Sequence, residues 1–424
     1  MLGKKVLVLI MLGWLFSLNV LADYEIVDRF RLYDDRLKTM EILRPYGHDF
    51  LLNINAALNP DVKKTIDDAE KVSKTNGTSQ ITEAQNFLTQ HKNEEFVGKF
   101  DLAFGIPLPS FTISGIKFTP DLRFGTNVGA QVGTKAVLLT AQTVVDLLGP
   151  EIPQSVVDLV VARFDTTGNG ASLLTDADCV TILKEANTAD NCTKLKEKYL
   201  KPASPDMADL FAYVKYESRF GTLFNAYKGD FFGSFNPYVR HRADLKRRYT
   251  AEFLAKESEL FEKDELVDFV DLATDFMFGY KKGEWKIYAT AEEIKIAELK
   301  KNMVLDGTRY GETFYGDEIL FRLHSDYTFK FAGFALTPFG GIHKRSGYDM
   351  VDGLYAGADF GFSFWQDRLG LLAKGMLDSE YITLAPRLQL WLMQLEAVGK
   401  IAHKSEVDGM KIANIYSFNF RLFF

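Results

Sequence analysis

The chain has 424 residues, 50 Lys and Arg against 57 Asp and Glu, and a formal net charge of −7, so it lacks the basic balance of a nucleic-acid binder. With two Cys in all it is no disulfide scaffold, and its 35 Phe and 18 Tyr are a large aromatic load for an exported soluble protein. No stretch beyond the first residues reaches the run of roughly 18 apolar residues that a membrane helix needs.

In chain order, Lys4 and Lys5 precede an apolar run from Val6 to Phe16, and Val20 and Ala22 put small residues where a signal peptidase reads. Residues 1–22 are therefore expected to be a secretory signal peptide cleaved after Ala22. A segment at 23–47 follows, and then 48–424 repeatedly shows alternation of apolar and polar residues with a period of two. FLLNINAAL, FDLAFGIPL, LRFGTNVGAQVG, FAYVKYESRF, FFGSFNPYVRH and FKFAGFALTPFGG all read as strands.

Three inserts interrupt the strands, at about 57–96, 136–205 and 250–272. QITEAQNFL in the first, LLTAQTVVDLLG and QSVVDLVVARF in the second, and the acidic stretch Glu252 to Leu272 in the third have apolar residues at helical spacing. The second insert carries Cys179 and Cys192. An exported protein would join them in a disulfide. DTTGNGASLLTD, just before, places Asp165, Thr167, Asn169 and Asp176 at ligand positions of a calcium loop, although a Gly-Asn turn explains the same residues and is preferred. Arg240, His241, Arg242, Lys246, Arg247 and Arg248 form one basic cluster, read either as a charged strand end or as an anion-attracting lining.

The last quarter alternates most cleanly. LYAGADFGFSFW, RLGLLAKGML and YITLAPRLQLWL are joined by two or three residues, which makes them antiparallel neighbours, and each has about the length of a tilted strand crossing a bilayer. At the end, Tyr416, Phe418, Phe420, Leu422 and Phe424 share one face, opposite Ser417, Asn419 and Arg421. These observations specify an all-β protein: a transmembrane antiparallel barrel of about 14 strands, within 12–16, with helical inserts in long loops.

A terminal Phe with apolar residues at alternate positions back to Tyr416 resembles the C-terminal β-signal of Gram-negative outer-membrane proteins. The resemblance implies an outer-membrane location and recognition of the last strand by the barrel assembly machinery. ALNP at Ala57 to Pro60, within a long barrel, loosely resembles the fatty-acid transporter FadL group, though no clear NPAG-type motif stands near the mature start. That resemblance implies a lumen hatch made by Asp23 to Tyr46.

Parity assigns residues to the lumen: Lys215, Glu217, Arg219, Arg322, His324, Asp359, Lys374, Arg387, Gln389, Asn419 and Arg421. Six are permanently basic and two acidic, which leads to an expected mild anion preference. No G-x-S-x-G is present, and adjacent His324 and Ser325 point to opposite faces of a strand, so no catalysis and no cofactor are expected. The function expected is an outer-membrane channel or transporter for small or amphiphilic solutes, the alternative being a structural or surface-interaction barrel with a closed lumen.

Overall fold

A computed structural model describes residues 25–42, 49–60, 64–65, 67–68, 71–72, 78–136, 208–249, 266–301, 314–331, 333–364 and 369–423. The signal segment, most of the second and third inserts, Cys179, Cys192, the candidate calcium loop and Phe424 lie outside them.

The described chain is built from β1 (Leu51–Leu58), β2 (Glu95–Pro107), β3 (Phe111–Ile113), β4 (Ile116–Ala136), β5 (Ala208–Lys228), β6 (Phe231–Tyr249), β7 (Val267–Lys282), β8 (Trp285–Lys301) and β9 (Leu320–Tyr327). It continues through β10 (Phe329–Phe331), β11 (Phe334–Lys344), β12 (Leu354–Phe364), β13 (Leu369–Asp378), β14 (Tyr381–Leu390) and β15 (Met393–Ala402). A two-strand ribbon of β16 (Glu406–Val407) and β17 (Met410–Lys411) precedes β18 (Ile415–Phe423). Two helices stand out: α1 (Ile26–Ile42), ahead of the first strand, and α2 (Thr78–Gln90), between β1 and β2.

Every pairing in the large sheet is antiparallel between chain neighbours, and the ring closes where β1 meets β18, from Leu51 opposite Phe423 to Leu58 opposite Tyr416. Since β3 and β10 only prolong β2 and β9 along their partners, the result is a closed 14-stranded barrel. Closure removes the edges that an open sheet could not expose to hydrocarbon.

The two rims differ. One, the turn rim, is made of tight connections, among them Ser114–Gly115, Gly229–Asp230, Gly283–Glu284 and Trp391–Leu392. Ser114, Gly115, Gly229, Gly283 and Trp391 have positive φ, as the turns that match strand twist require. The other, the loop rim, carries the long connections, including all three inserts.

The outer face is apolar and exposed. Phe100, Phe220, Phe278, Phe321, Leu371, Leu384 and Phe418 are between 45 and 66% accessible, and they belong to strands all around the ring. A continuous belt of this kind is the surface a bilayer covers. Tyr416 and Phe418 of the C-terminal strand lie in it, and Phe420 and Leu422 share their face. At the loop rim, the outward-facing Ala208, Leu210, Ala212 and Tyr249 are instead buried with Ala84, Phe87 and Leu88 of α2, which packs against the barrel's outside wall there. The third insert ends sooner than its helical spacing implied. Val267 to Leu272 are the first residues of β7, because VDFVDL also alternates and turns Val267, Phe269 and Asp271 inward.

Candidate functional site

Helix α1 occupies the lumen. Ile26, Phe30, Tyr33, Leu37 and Met40 recur at intervals of four and three, giving one apolar stripe, and no Gly or Pro interrupts the run. The first four pack with Ala57, Val97, Tyr213, Tyr381 and Ile415 on the inner wall, and Met40 packs with Phe339, Tyr355 and Met376.

The rest of the helix surface is charged and paired. Arg29 binds Glu95 of β2 at 2.6 Å and Glu380 of the β13–β14 turn at 2.8 Å. Asp34 takes Lys99 of β2 at 2.6 Å and Lys215 of β5 at 3.0 Å. Asp35 holds Arg345, just after β11, at 2.9 Å, Arg36 reaches Glu380 at 2.9 Å, and Lys38 reaches Glu293 of β8 at 2.6 Å. Thr39 accepts a hydrogen bond from Arg322 of β9. Partners drawn from so many points of the ring can surround one helix only from within.

The direction of α1 follows from its ends. Glu25, beside its first turn, pairs with Lys246 near the loop-rim end of β6, and the chain then returns to Leu51 at the turn rim. The helix therefore descends from the loop rim, and its contacts fill the loop-side half of the lumen. Below it, the inward-facing Asp275, Asp359 and Gln389 are only half-buried.

The wall is cut to fit the helix. A Cβ at Gly129 of β4 would overlap the Phe30 ring, one at Gly347 would overlap the Asp28 carboxylate, and one at Gly316 would crowd the Arg31 guanidinium. Gly316 and Gly347 also have φ of +75° and +96°, which L side chains rarely adopt.

Glu293 is the electrostatic centre of this half. Besides Lys38, it faces Arg219 at 2.7 Å, Arg345 at 3.0 Å, Arg242 at 3.1 Å and Arg240 at 3.8 Å. A register shift between β7 and β8 at Thr274/Phe276 puts it there. The shift lets both Glu292 and Glu293 point inward, with Glu293 at φ 64° and its N–H donated to Asp275 at 2.8 Å. A bulge re-aims a side chain in just this manner, and simple alternation could not have found Glu293.

A second inward element comes from the loop rim. Residues 314–318 drop into the lumen beside α1. The Tyr315 hydroxyl donates to Asp34 at 2.9 Å, its N–H donates to Asp244 at 2.6 Å, and its carbonyl accepts from Arg31. The Lys215 ammonium lies 3.8 Å from the Tyr315 ring centre, with the Arg242 and Arg345 guanidinium groups at 4.5 and 5.2 Å.

The residues assigned inward by parity all point inward, in two groups. Lys215, Glu217, Arg219 and Arg322 belong to the seat of α1, with Glu217 binding Arg219 and Arg242 at 2.6 and 2.5 Å and Arg322 binding Glu292 at 2.8 Å. Asp359 and Lys374 pair at 3.0 Å, Arg387 and Glu396 at 2.6 Å, Asn419 and Arg421 both donate to Asn53, and Gln389 faces Gln394 across β14 and β15. His324 sits between Tyr355 at 3.1 Å and Asp326 at 3.2 Å, while Ser325 accepts a hydrogen bond from Trp285 at 3.0 Å.

These pairings correct the charge argument. Four cations of the readable strands have carboxylate partners on segments whose alternation was not read: Lys215 has Asp34, Arg219 has Glu293, Arg322 has Glu292 and Arg387 has Glu396. The basic cluster divides likewise: Arg240 and Arg242 are buried among Asp271, Glu217 and Glu293, Lys246 and Arg248 are paired with Glu25 and Asp209, and His241 meets Asp268 at 3.2 Å.

No family model and no curated protein matches the chain. Among solved structures, it is similar to the transport unit of the autotransporter AIDA-I from Escherichia coli, at 7% identity and TM-score 0.35, covering 95% of this chain and 99% of that one. A Pseudomonas aeruginosa FadL homologue gives 6% identity and TM-score 0.28 over 77% and 68%, and outer membrane phospholipase A from Escherichia coli gives 9% and 0.26 over 89% and 91%. Likenesses this loose do not bear on activity.

Proposed function

We propose that this protein is an outer-membrane transporter for small polar or amphiphilic solutes whose passage is closed at rest by α1. The seat of α1 carries the reading. A ring of fourteen strands is wide enough to leave a passage, whereas eight are filled by their own side chains. Here the loop-side half of that space is taken by a helix held through ion pairs and glycine notches, over a polar lining that would stay wetted after the helix moved. The long loops face the cell exterior and the tight turns the periplasm, as in barrels of this class. The C-terminal strand serves as the assembly signal, and the belt meets outer-membrane lipid. Because the lining charges are paired, weak ion selectivity is expected.

Planar-bilayer recording of the refolded protein tests this. The intact chain should insert with rare openings, and a variant lacking residues 25–42 should give stable current steps. A deletion variant that refolds to a heat-modifiable form yet stays silent would leave the second reading, a closed barrel acting through its surface.

A further inference from the structure

We infer that residues 314–318 are the lock on α1, with Tyr315 as the bolt, so that the helix leaves its seat only after this segment lifts toward the loop rim. The inference deepens the reading of α1 as a movable plug and rests on it.

The segment binds both the helix and the wall. Toward the helix, Tyr315 donates to Asp34 and its carbonyl accepts from the Arg31 Nε at 2.6 Å, while Glu318 pairs with Arg31 at 3.2 Å. Toward the wall, the Phe314 and Tyr315 N–H groups donate to Asp244 at 3.1 and 2.6 Å, and the Gly316 carbonyl accepts from Arg242 at 2.7 Å. Asp317 pairs with Lys295 at 2.8 Å and Arg240 at 3.2 Å, and the Glu318 carbonyl accepts from Arg345 at 2.8 Å.

Arg345 itself grips Asp35 of α1, and Arg242 and Arg345 both reach Glu293, the partner of Lys38. Lifting the segment takes Tyr315 and Glu318 from the helix and the Gly316 and Glu318 carbonyls from Arg242 and Arg345. The Tyr315 ring makes this set cohere. It is fully buried, and the quadrupole of its face is the common neighbour of Lys215, Arg242 and Arg345, like charges that would otherwise repel. Arg345 bridges the same three parts, holding Asp35, Glu293 and the Glu318 carbonyl, with the Tyr315 ring against it.

The test uses the full chain, refolded in lipid vesicles, with Cys179→Ser and Cys192→Ser as background and Thr39→Cys as reporter. Thr39 is buried on α1, so a water-soluble maleimide should label it slowly. Tyr315→Ala should speed labelling roughly tenfold or more, as loss of a charged hydrogen bond with its ring contacts implies. Tyr315→Phe, which keeps the ring, should give a smaller rise. Gly129→Leu, which fills the Phe30 notch, separates the two ideas. If it speeds labelling and Tyr315→Ala does not, the lock is overturned and the plug stands. If neither speeds labelling, the plug reading fails with it. Should Tyr315→Ala not reach the heat-modifiable form, Tyr315→Phe decides alone, a faster rate supporting the lock and an unchanged rate overturning it.

Discussion

The barrel wall has two unlike halves. From β11 through β15, β18 and β1, the strands have 8 to 11 residues; from β4 to β8 they have 16 to 21. The short strands match what a bilayer requires, and their inward charges pair with the strand next door: Asp359 lies directly opposite Lys374, and Arg387 directly opposite Glu396. The tall strands rise past the belt at the loop rim; they too pair with the strand next door, Glu217 with Arg242 and Arg240 with Asp271, but Lys215 and Glu293 also reach into the lumen, to Asp34 and Lys38. Pairs within the wall hold the barrel closed, whereas pairs across the lumen hold the helix down.

The sharpest way to break that contrast is Glu293→Gln. It strands several buried cations at once, and an uncompensated buried charge costs about 3–5 kcal/mol. The unfolding free energy of the heat-modifiable form, from urea titration, should drop by that amount, and α1 should loosen. Glu396→Gln in the short half withdraws the carboxylate that Arg387 holds and should cost less without releasing the helix. Equal losses with equal release would erase the distinction between the halves.

The same contrast explains what could be read from the sequence. β12, β13 and β14 were legible residue by residue because each is one belt height long, with apolar residues outward throughout. β7 and β8 were not. KIYATAEEIKIAELKK carries charges on both faces above the belt, and the bulge resets its parity at Glu293. Helix α1 did leave a signal, the spacing of Ile26, Phe30, Tyr33, Leu37 and Met40. Its partners could not be inferred, since Asp34 finds Lys99 and Lys215 only through barrel closure.

A second prediction concerns the belt on the short half. Phe418→Lys places a charge on the lipid face and should cost about 2–4 kcal/mol near mid-belt. Ser417→Lys, the next residue on the inner face, should cost much less. Refolding yields in vesicles and urea midpoints measure both, and similar costs would mean that β18 is one register off.

A third prediction uses pH at Glu380, the β13–β14 turn residue by which the short half reaches α1. Burial alone would raise its carboxyl, but Arg36 and Arg29 hold it down, at about 2. With a folded-state value below the unfolded one, its contribution is full above the usual Glu range and is lost as pH falls from about 4.5 toward 2. The loss should be up to about 3 kcal/mol. Urea midpoints of the intact protein should fall across that window. Those of Glu380→Gln, already lower at neutral pH, should fall less.

The smallest effect is the most specific to the seat. Gly129 and Gly375 are both strand glycines, but Gly129 faces Phe30 inside the tall half, while a Cβ at Gly375 on β13 meets nothing within 4 Å. Gly129→Ala therefore forces the helix or its aromatic ring to shift, an overpacking cost of about 1–3 kcal/mol. Gly375→Ala should be neutral or slightly stabilising, since Ala restricts the unfolded chain more than Gly. The decisive readout is the bilayer current. If Phe30 in its notch seats the plug, Gly129→Ala should open more often than the intact protein, and adding Phe30→Ala, which vacates the space the new methyl needs, should cost less in total than the two single changes summed. A double variant no better than the sum of the single changes would show that the two residues do not meet, and that the helix is held by its charges alone.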